Sequence, residues 1–152
     1  MKSVLYQSLQ SQLAALLDGE KNLIANLANA SALLFDQLPE INWAGFYLLQ
    51  DNELVLGPFQ GKPACVRIPL GKGVCGTAAQ LKKTTLVGDV DQFPGHIACD
   101  INSKSEIVIP FCERTALVGV LDIDSPVLNR FDAVDQAGLE ACVTIIQTAC
   151  FT

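Results

Sequence analysis

Two apolar segments joined by a short polar connection constrain the fold of this chain most strongly. The segments are SEIVIPF at 105–111 and ALVGVLDID at 116–124, and the connection contains Glu113-Arg114-Thr115. Alternating segments rich in β-branched residues, linked this closely, predict an antiparallel hairpin. Because side chains alternate between the faces of a strand, one face is predicted to be apolar and buried. That face carries Ile107, Ile109, Leu121 and Ile123.

The other face of the predicted hairpin collects acidic residues at one end. With the turn centred on Arg114, Glu106 is expected opposite Asp122, and Asp124 lies on the same face as Asp122. Like charges that face each other destabilise a sheet unless a cation, a metal or a shared proton relieves them. Such proximity also drives carboxyl pKa values apart. The pattern therefore indicates either a binding or catalytic site or a strand end whose charges are simply hydrated.

The rest of the chain predicts helices on both sides of a sheet. Leucines at helical spacing indicate helices at 2–17 and 20–37, and Asp132 is the expected cap of a C-terminal helix. A Gly-rich turn is expected to open a short helix near residue 75, and residues 91–104 are expected to form a long loop. Further strands are predicted at 42–49, 53–59, 64–70 and 84–90. We therefore expect a single α+β domain over residues 1–152, a central antiparallel sheet flanked by N- and C-terminal helices.

Charge and hydropathy exclude several classes of function. The net charge is −6 with only ten Lys and Arg residues, which form no cluster, so a nucleic-acid partner is not expected. No apolar run is long enough to suggest a membrane span. The N-terminus lacks the pattern of a signal peptide, so a cytoplasmic location is expected. Six cysteines in a reducing compartment must then be core residues, metal ligands or redox groups.

The cysteines divide into two groups. Cys112, Cys142 and Cys150 are expected in the core, as is common for free cysteine. Cys65, Cys75 and Cys99 instead fall at predicted strand ends, loops or helix starts.

Three kinds of chemistry are open to the second group. The pKa of the Cys75 thiol is expected to be lowered by a helix N-terminus. Zinc sites usually contain closely paired ligands, which this sequence lacks, so no metal is predicted. The only histidine, His96, lies close enough to Cys99 for a Cys–His pair, but a redox trio of Cys65, Cys75 and Cys99 fits the spacing better.

The predicted strand NWAGFYLL contributes aromatic side chains to one face. Trp43 and Tyr47 share this face, with Gly45 between them. The arrangement is more typical of core packing, although the glycine mildly favours a pocket for a small or flat group.

Several motifs together resemble the free methionine-(R)-sulfoxide reductases, which are small enzymes with a GAF fold. They are NWAGFYLL, LGPFQGKPACVRIPLGKGVCGTA, GDVDQFPGHIACD, SEIVIPF and VGVLDIDS, and the resemblance runs from about residue 20 to residue 140. It implies a GAF-like fold and an oxidoreductase that repairs free methionine-(R)-sulfoxide without a cofactor.

The resemblance also implies roles for the cysteines. Cys99 would attack the sulfoxide sulfur and become a sulfenic acid. Cys65 would condense with it to a disulfide, with Cys75 as an alternative or relay, and thioredoxin would be the reductant. His96 is not expected to be the general base.

The same resemblance implies a substrate pocket. Glu106, Asp122 and Asp124 would line it and hold the ammonium group, and Asp124 or Glu106 would protonate the departing oxygen. Trp43 and Tyr47 would pack around the S-methyl group. The alternatives are a GAF-type module that binds a small ligand and a redox sensor without turnover. A homodimer is expected because helices often flank the sheet in this fold.

Overall fold

The computed structural model describes residues 1–96 and 102–152, which form four α-helices and six β-strands. The helices are α1 (Lys2–Leu17), α2 (Leu23–Gln37), α3 (Gly73–Leu81) and α4 (Ala133–Phe151). The strands are β1 (Trp43–Gln50), β2 (Glu53–Gly61), β3 (Arg67–Pro69), β4 (Thr85–Val87), β5 (Ser105–Glu113) and β6 (Ala116–Ser125).

The six strands form one sheet in the order β3-β2-β1-β6-β5-β4. Within the described ranges, all neighbouring strands are antiparallel. The predicted α+β class with a central antiparallel sheet is confirmed. Three predictions were too long: the strands expected at 64–70 and 84–90 span only Arg67–Pro69 and Thr85–Val87, and α2 begins at Leu23. The Asn22 side chain accepts a hydrogen bond there from the Ala25 amide at 2.9 Å.

The predicted pairing of the β5–β6 hairpin was wrong by two residues. Glu106 lies opposite Asp124, not Asp122, and the residue opposite Asp122 is Val108. The turn is tighter than expected, with Glu113 paired to Ala116, and a bulge at Phe111/Cys112 shifts the remaining pairs. Because an even shift preserves the alternation of faces, the three carboxyl groups still share one face.

The opposite face of the sheet carries the larger core. The four predicted hairpin residues are buried there, together with side chains of α1, α2 and α4. Close approach of α1 and α4 depends on Gly138, where a Cβ atom would lie 2.3 Å from Cγ of the Tyr6 ring.

A buried polar network ties α1 and α4 to the chain before β1. Asp135 accepts hydrogen bonds from the Tyr6 hydroxyl at 2.7 Å and from Arg130 Nη1 at 3.2 Å, and Lys2 Nζ lies 2.6 Å from it. Arg130 also donates two hydrogen bonds to the carbonyl of Pro39. A buried charge this well paired strongly restricts how the helices can pack.

The second, smaller core lies between the acidic face of the sheet and α3. The Gly-rich turn places the start of α3 directly over this face, and Gly73 there has a φ of 63°. Within residues 1–96 and 102–152, no helix combines the length and apolarity that a membrane span requires.

Candidate active site

A cavity of about 50 Å³ lies between α3 and the acidic face of the sheet. Six of the eight residues predicted to form the site line it, namely Trp43, Tyr47, Cys75, Glu106, Asp122 and Asp124. The seventh, Cys65, is adjacent to Ala64 in the cavity wall. The eighth, Cys99, lies outside the described residues. The fold thus brings together side chains from β1, β5, β6 and α3.

The carboxyl groups of Glu106 and Asp122 are almost completely withdrawn from solvent. The two residues are 7% and 5% exposed, respectively. Burial raises the pKa of Glu106 well above its usual value, and the neighbouring Asp122 raises it further. Burial likewise raises the pKa of Asp122, with Asp124 as the next cause. This part of the cavity therefore retains protons that exposed carboxyl groups would lose.

Asp122 also contains a buried acceptor atom that is available to a ligand. Its Oδ1 is buried and has no hydrogen-bond partner among the described residues. An unsatisfied buried acceptor is costly, so a donor group entering the cavity would find strong complementarity there.

The Cys75 thiol lies among these carboxyl groups. Its Sγ donates to Oε2 of Glu106 at 3.8 Å, and the residue is buried in the first turn of α3. The expectation of a lowered pKa was wrong. Burial raises the pKa of Cys75 well above its usual value, with Asp122 and Glu106 as further causes, and these outweigh the helix N-terminus.

The remaining cysteines differ in bonding and exposure. Cys65 is disulfide-bonded, whereas Cys112, Cys142 and Cys150 are free thiols, as is Cys75. Cys142 is buried, and burial raises its pKa to about 12. Cys112 and Cys150 are only half-buried, but Cys150 packs against the larger core, so the prediction that all three lie in the core is wrong only for Cys112.

An aromatic wall borders the acidic groups. The ring of Trp43 stacks on Tyr47 at 5.9 Å and on Phe59 at 5.1 Å. The Tyr47 hydroxyl donates to the backbone carbonyl of Cys65 at 2.8 Å, and Trp43 Nε1 donates to the carbonyl of Lys62 at 3.1 Å.

The space above Gly45 is not part of the cavity. A Cβ atom at Gly45 would lie 2.2 Å from Cβ of Phe59, so Phe59 fills the gap between Trp43 and Tyr47. The prediction of a pocket above Gly45 was therefore wrong. Sequence analysis did not identify Phe59 as the residue that fills this space. The strand alternation of ELVLGPF could have indicated it, but the shift of register between Gly45 and Tyr47 hides the pairing.

His96 approaches the acidic cluster from the side of the long loop. Its Nε2 is 4.0 Å from Oε1 of Glu106, and burial lowers its pKa. Sequence reasoning provided no partner for this histidine, because Glu106 follows only after the loop. Lys72 and Ser103 also line the cavity and were not predicted.

Together these groups define a small cavity suited to a compact polar ligand. The sheet contributes both the aromatic rings and the protonatable carboxyl groups, with Trp43 paired to Asp124 across β1 and β6, and α3 contributes the Cys75 thiol from the other side. The sequence profile of the family described as GAF domain matches residues 25–149. The chain is therefore a GAF domain.

Comparison with curated relatives and solved structures shows which GAF-domain proteins this chain is similar to. A relative from Escherichia coli, named free methionine-R-sulfoxide reductase, is 53% identical and covers 96% of this chain and 88% of its own length. The structure of fRMsr of Staphylococcus aureus in complex with substrate is 58% identical, with a TM-score of 0.92 over 95% of this chain and 94% of that one. The Neisseria meningitidis free methionine-R-sulfoxide reductase in complex with its substrate is 43% identical, with a TM-score of 0.95, covering 98% and 90%. The chain belongs to the free methionine-R-sulfoxide reductases, a family of GAF-fold oxidoreductases.

Proposed function

We propose that this protein reduces free methionine-(R)-sulfoxide to methionine. The observation that carries the proposal is the buried pair Glu106 and Asp122, which lines one cavity together with the Trp43 ring. An amino acid sulfoxide presents an ammonium group, an apolar S-methyl group and a basic oxygen. The Escherichia coli relative and the two substrate complexes support this choice of substrate.

Selectivity for the free amino acid follows from the buried carboxyl groups. Oδ1 of Asp122 has no partner among the described residues, and an ammonium group would supply a charge-assisted donor. A peptide-bonded methionine sulfoxide has no ammonium group, so this acceptor would stay unsatisfied.

The carboxyl cluster also supplies the proton that reduction requires. In the proposed step, the Cys99 thiolate attacks the sulfoxide sulfur and forms an S–S bond, and Glu106 or Asp124 protonates the sulfoxide oxygen. The protonated oxygen then passes to the Cys99 sulfur as the S–O and S–S bonds of the intermediate break, which leaves a sulfenic acid on Cys99. Methionine is released. A group that holds its proton near neutral pH is suited to this step, and Glu106 has a raised pKa.

Disulfide formation would then return the enzyme to a reducible state. The Cys65 thiol condenses with the sulfenic acid and expels water, and the dithiol of thioredoxin reduces the resulting disulfide. Two observations favour Cys65 over Cys75 as the resolving residue. Cys65 is disulfide-bonded in the structure, and Cys75 is a buried free thiol whose pKa is raised.

The proposal is tested by methionine release from free methionine-(R)-sulfoxide with dithiothreitol as reductant. We expect turnover by the wild type and by Cys112→Ser, a control that removes a half-buried thiol away from the cavity. Cys99→Ser should be inactive. With thioredoxin as reductant, Cys65→Ser should lose more activity than Cys75→Ser. Absence of turnover in the folded wild type would refute the proposal.

Asp122→Asn distinguishes the reductase from its two rivals. In a reductase the variant should lose substrate binding, because an amide, unlike a carboxyl group, cannot release a proton and pair with the charge of the ammonium group. A redox sensor should keep its disulfide chemistry in this variant. A module that only binds a small ligand should show no methionine release in any variant.

The proposal includes a cytoplasmic homodimer. Exposed apolar side chains on the helices that cover the larger core, including Val4, Leu16 and Ile24, favour association of two copies. Sedimentation equilibrium would measure the mass, and a monomer at micromolar concentration would contradict this part.

A further inference from the structure

We propose that Cys75, Glu106 and Asp122 form a binding site for a thiophilic divalent cation, and that the cation excludes substrate from the cavity. Sulfur and oxygen ligand atoms of these three residues all lie within 4.8 Å of one another. They come from α3, β5 and β6, so three separate elements of the fold hold them together.

Asp122 provides the independent sign of a missing ligand. The residue is 5% exposed, it lines the cavity, and its Oδ1 has no hydrogen-bond partner among the described residues. Cys75 and Glu106 meet only weakly, with Sγ donating to Oε2 at 3.8 Å. A cation between the three side chains would satisfy the orphan oxygen and neutralise the like charges at once.

The donor set selects the kind of cation. One thiolate and two carboxylates suit Zn²⁺ or Cd²⁺, whereas Mg²⁺ and Ca²⁺ prefer an all-oxygen shell. On binding, the Cys75 S–H bond breaks, a sulfur–metal bond forms, and the thiol proton passes to buffer together with any proton held by the two carboxyl groups. Affinity should therefore increase with pH.

Exclusion of substrate rests on the proposed function. Glu106 and Asp122 are the carboxyl groups that would receive the substrate ammonium, and a bound dication would both occupy them and repel the positive charge. Cation binding itself does not depend on the activity, so the two claims can be tested separately.

The experiment is a Cd²⁺ titration of the full-length variant Cys65→Ser/Cys99→Ser under anaerobic conditions. Removal of these two cysteines leaves Cys75 as the thiol of the cavity and prevents turnover. We expect a stoichiometric thiolate-to-Cd²⁺ charge-transfer band in the ultraviolet. Adding Cys75→Ser should abolish the band, whereas adding Cys112→Ser, which removes a half-buried thiol elsewhere, should leave it unchanged. Absence of the band, or its survival in Cys75→Ser, would overturn the proposal.

Carboxylate variants provide a second measurement if Cys75→Ser does not fold. Asp122→Asn should weaken Cd²⁺ binding by at least about tenfold, because the loss of a direct ligand should cost no less than an outer-shell change, which costs about 10–100-fold. An unchanged affinity would overturn the site. Free methionine-(R)-sulfoxide should displace Cd²⁺ and remove the band. If Cd²⁺ binds but the sulfoxide does not displace it, the cation site stands and the shared use of the carboxyl groups fails.

Discussion

Glu106 on β5 lies directly opposite Asp124 on β6, so two acidic residues form a cross-strand pair at the cavity. Asp122 lies on the same face of β6 and is buried beside them. Opposed carboxylates would destabilise the sheet. The raised pKa values of Glu106 and Asp122 show how the fold relieves this repulsion: protons remain bound where exposed groups would lose them.

Replacement of Glu106 should therefore stabilise the protein at the expense of activity. Glu106→Gln removes a buried ionisable group and is expected to increase the free energy of unfolding at neutral pH by about 1 kcal/mol. Methionine release should fall sharply. Urea unfolding and a turnover assay would measure the two effects. The matched control is Glu113→Gln on the same strand, where the side chain is exposed and neither quantity should change. A Glu106→Gln variant less stable than wild type would contradict the argument that repulsion between the carboxyl groups destabilises the sheet.

Stability should also depend on pH with a definite sign. The folded-state pKa of Glu106 lies above its ordinary value, so folding favours the protonated carboxyl group. This contribution is complete below the ordinary pKa and is lost as pH rises toward the folded-state pKa. The free energy of unfolding should thus fall by up to about 1.4 kcal/mol per pH unit for each such group.

The measurement is urea unfolding of wild type and Glu106→Gln at several pH values under reducing conditions. Groups remote from Glu106, such as Lys2, also have shifted pKa values, and their contributions cancel in the difference between the two proteins. The difference in unfolding free energy between Glu106→Gln and wild type should decrease in magnitude toward acidic pH. A pH-independent difference would mean that folding leaves the pKa of Glu106 unshifted.

The hairpin shows why the acidic face could be predicted from sequence although its pairing could not. Alternation alone places Glu106, Asp122 and Asp124 on one face, and any even shift of register keeps them there. The size of the register shift depends on the bulge at Phe111/Cys112. No residue pattern in SEIVIPF predicts this bulge. The helices were predicted closely because leucine spacing and the Asp132 cap are local signals.

The environment of Cys75 and Gly45 could not be predicted in the same way. A helix N-terminus is visible in the sequence, but the burial and the carboxyl groups that dominate the Cys75 pKa come from β5 and β6. Likewise, the space above Gly45 is filled by Phe59, which reaches it only through a shift in the β1–β2 register. The raised pKa of Cys75 and the filled space above Gly45 both arise from tertiary contacts. The residues next to Cys75 and Gly45 in the sequence do not predict these contacts.

The contact between α1 and α4 leads to a prediction on packing. In an exposed helix, Gly→Ala should stabilise by about 1 kcal/mol. At Gly138 the new Cβ would lie 2.3 Å from the Tyr6 ring, so Gly138→Ala should instead destabilise by about 1–3 kcal/mol. Thermal unfolding would measure the change. In a double-mutant cycle, Tyr6→Ala should remove most of the Gly138→Ala penalty, and simple additivity would contradict the clash.

The cap of α4 leads to a further prediction on stability. The Asp132 side chain accepts hydrogen bonds from the amides of Val134 and Asp135 at 3.0 and 3.1 Å. The Asp135 amide, with Lys2 next, lowers the pKa of Asp132 to about 2. Asp132→Ala should cost about 1 kcal/mol of unfolding free energy, and Asp132→Asn, which keeps the cap, much less. Equal losses in the two variants would assign the effect to charge alone.

Tyr47 connects the cavity to Cys65, the proposed resolving cysteine. Its hydroxyl donates to the backbone carbonyl of Cys65 at 2.8 Å, and burial raises its pKa, so the hydroxyl keeps the proton that it donates. Tyr47→Phe should loosen the segment that carries Cys65 without removing the aromatic ring. We expect disulfide formation after the first turnover to slow by about fivefold, the equivalent of one hydrogen bond worth about 1 kcal/mol.

Single-turnover experiments would separate the two steps of the Tyr47→Phe variant. Methionine release reports attack on the sulfoxide and should stay within about twofold of wild type, since a change below about 0.5 kcal/mol is expected. Loss of free thiols reports disulfide formation and should be the slowed step. Tyr6→Phe is the matched control, because it removes a hydroxyl that donates to Asp135 on the opposite side of the sheet. If Tyr47→Phe slowed methionine release and left disulfide formation unchanged, the hydroxyl would act on the substrate and not through Cys65.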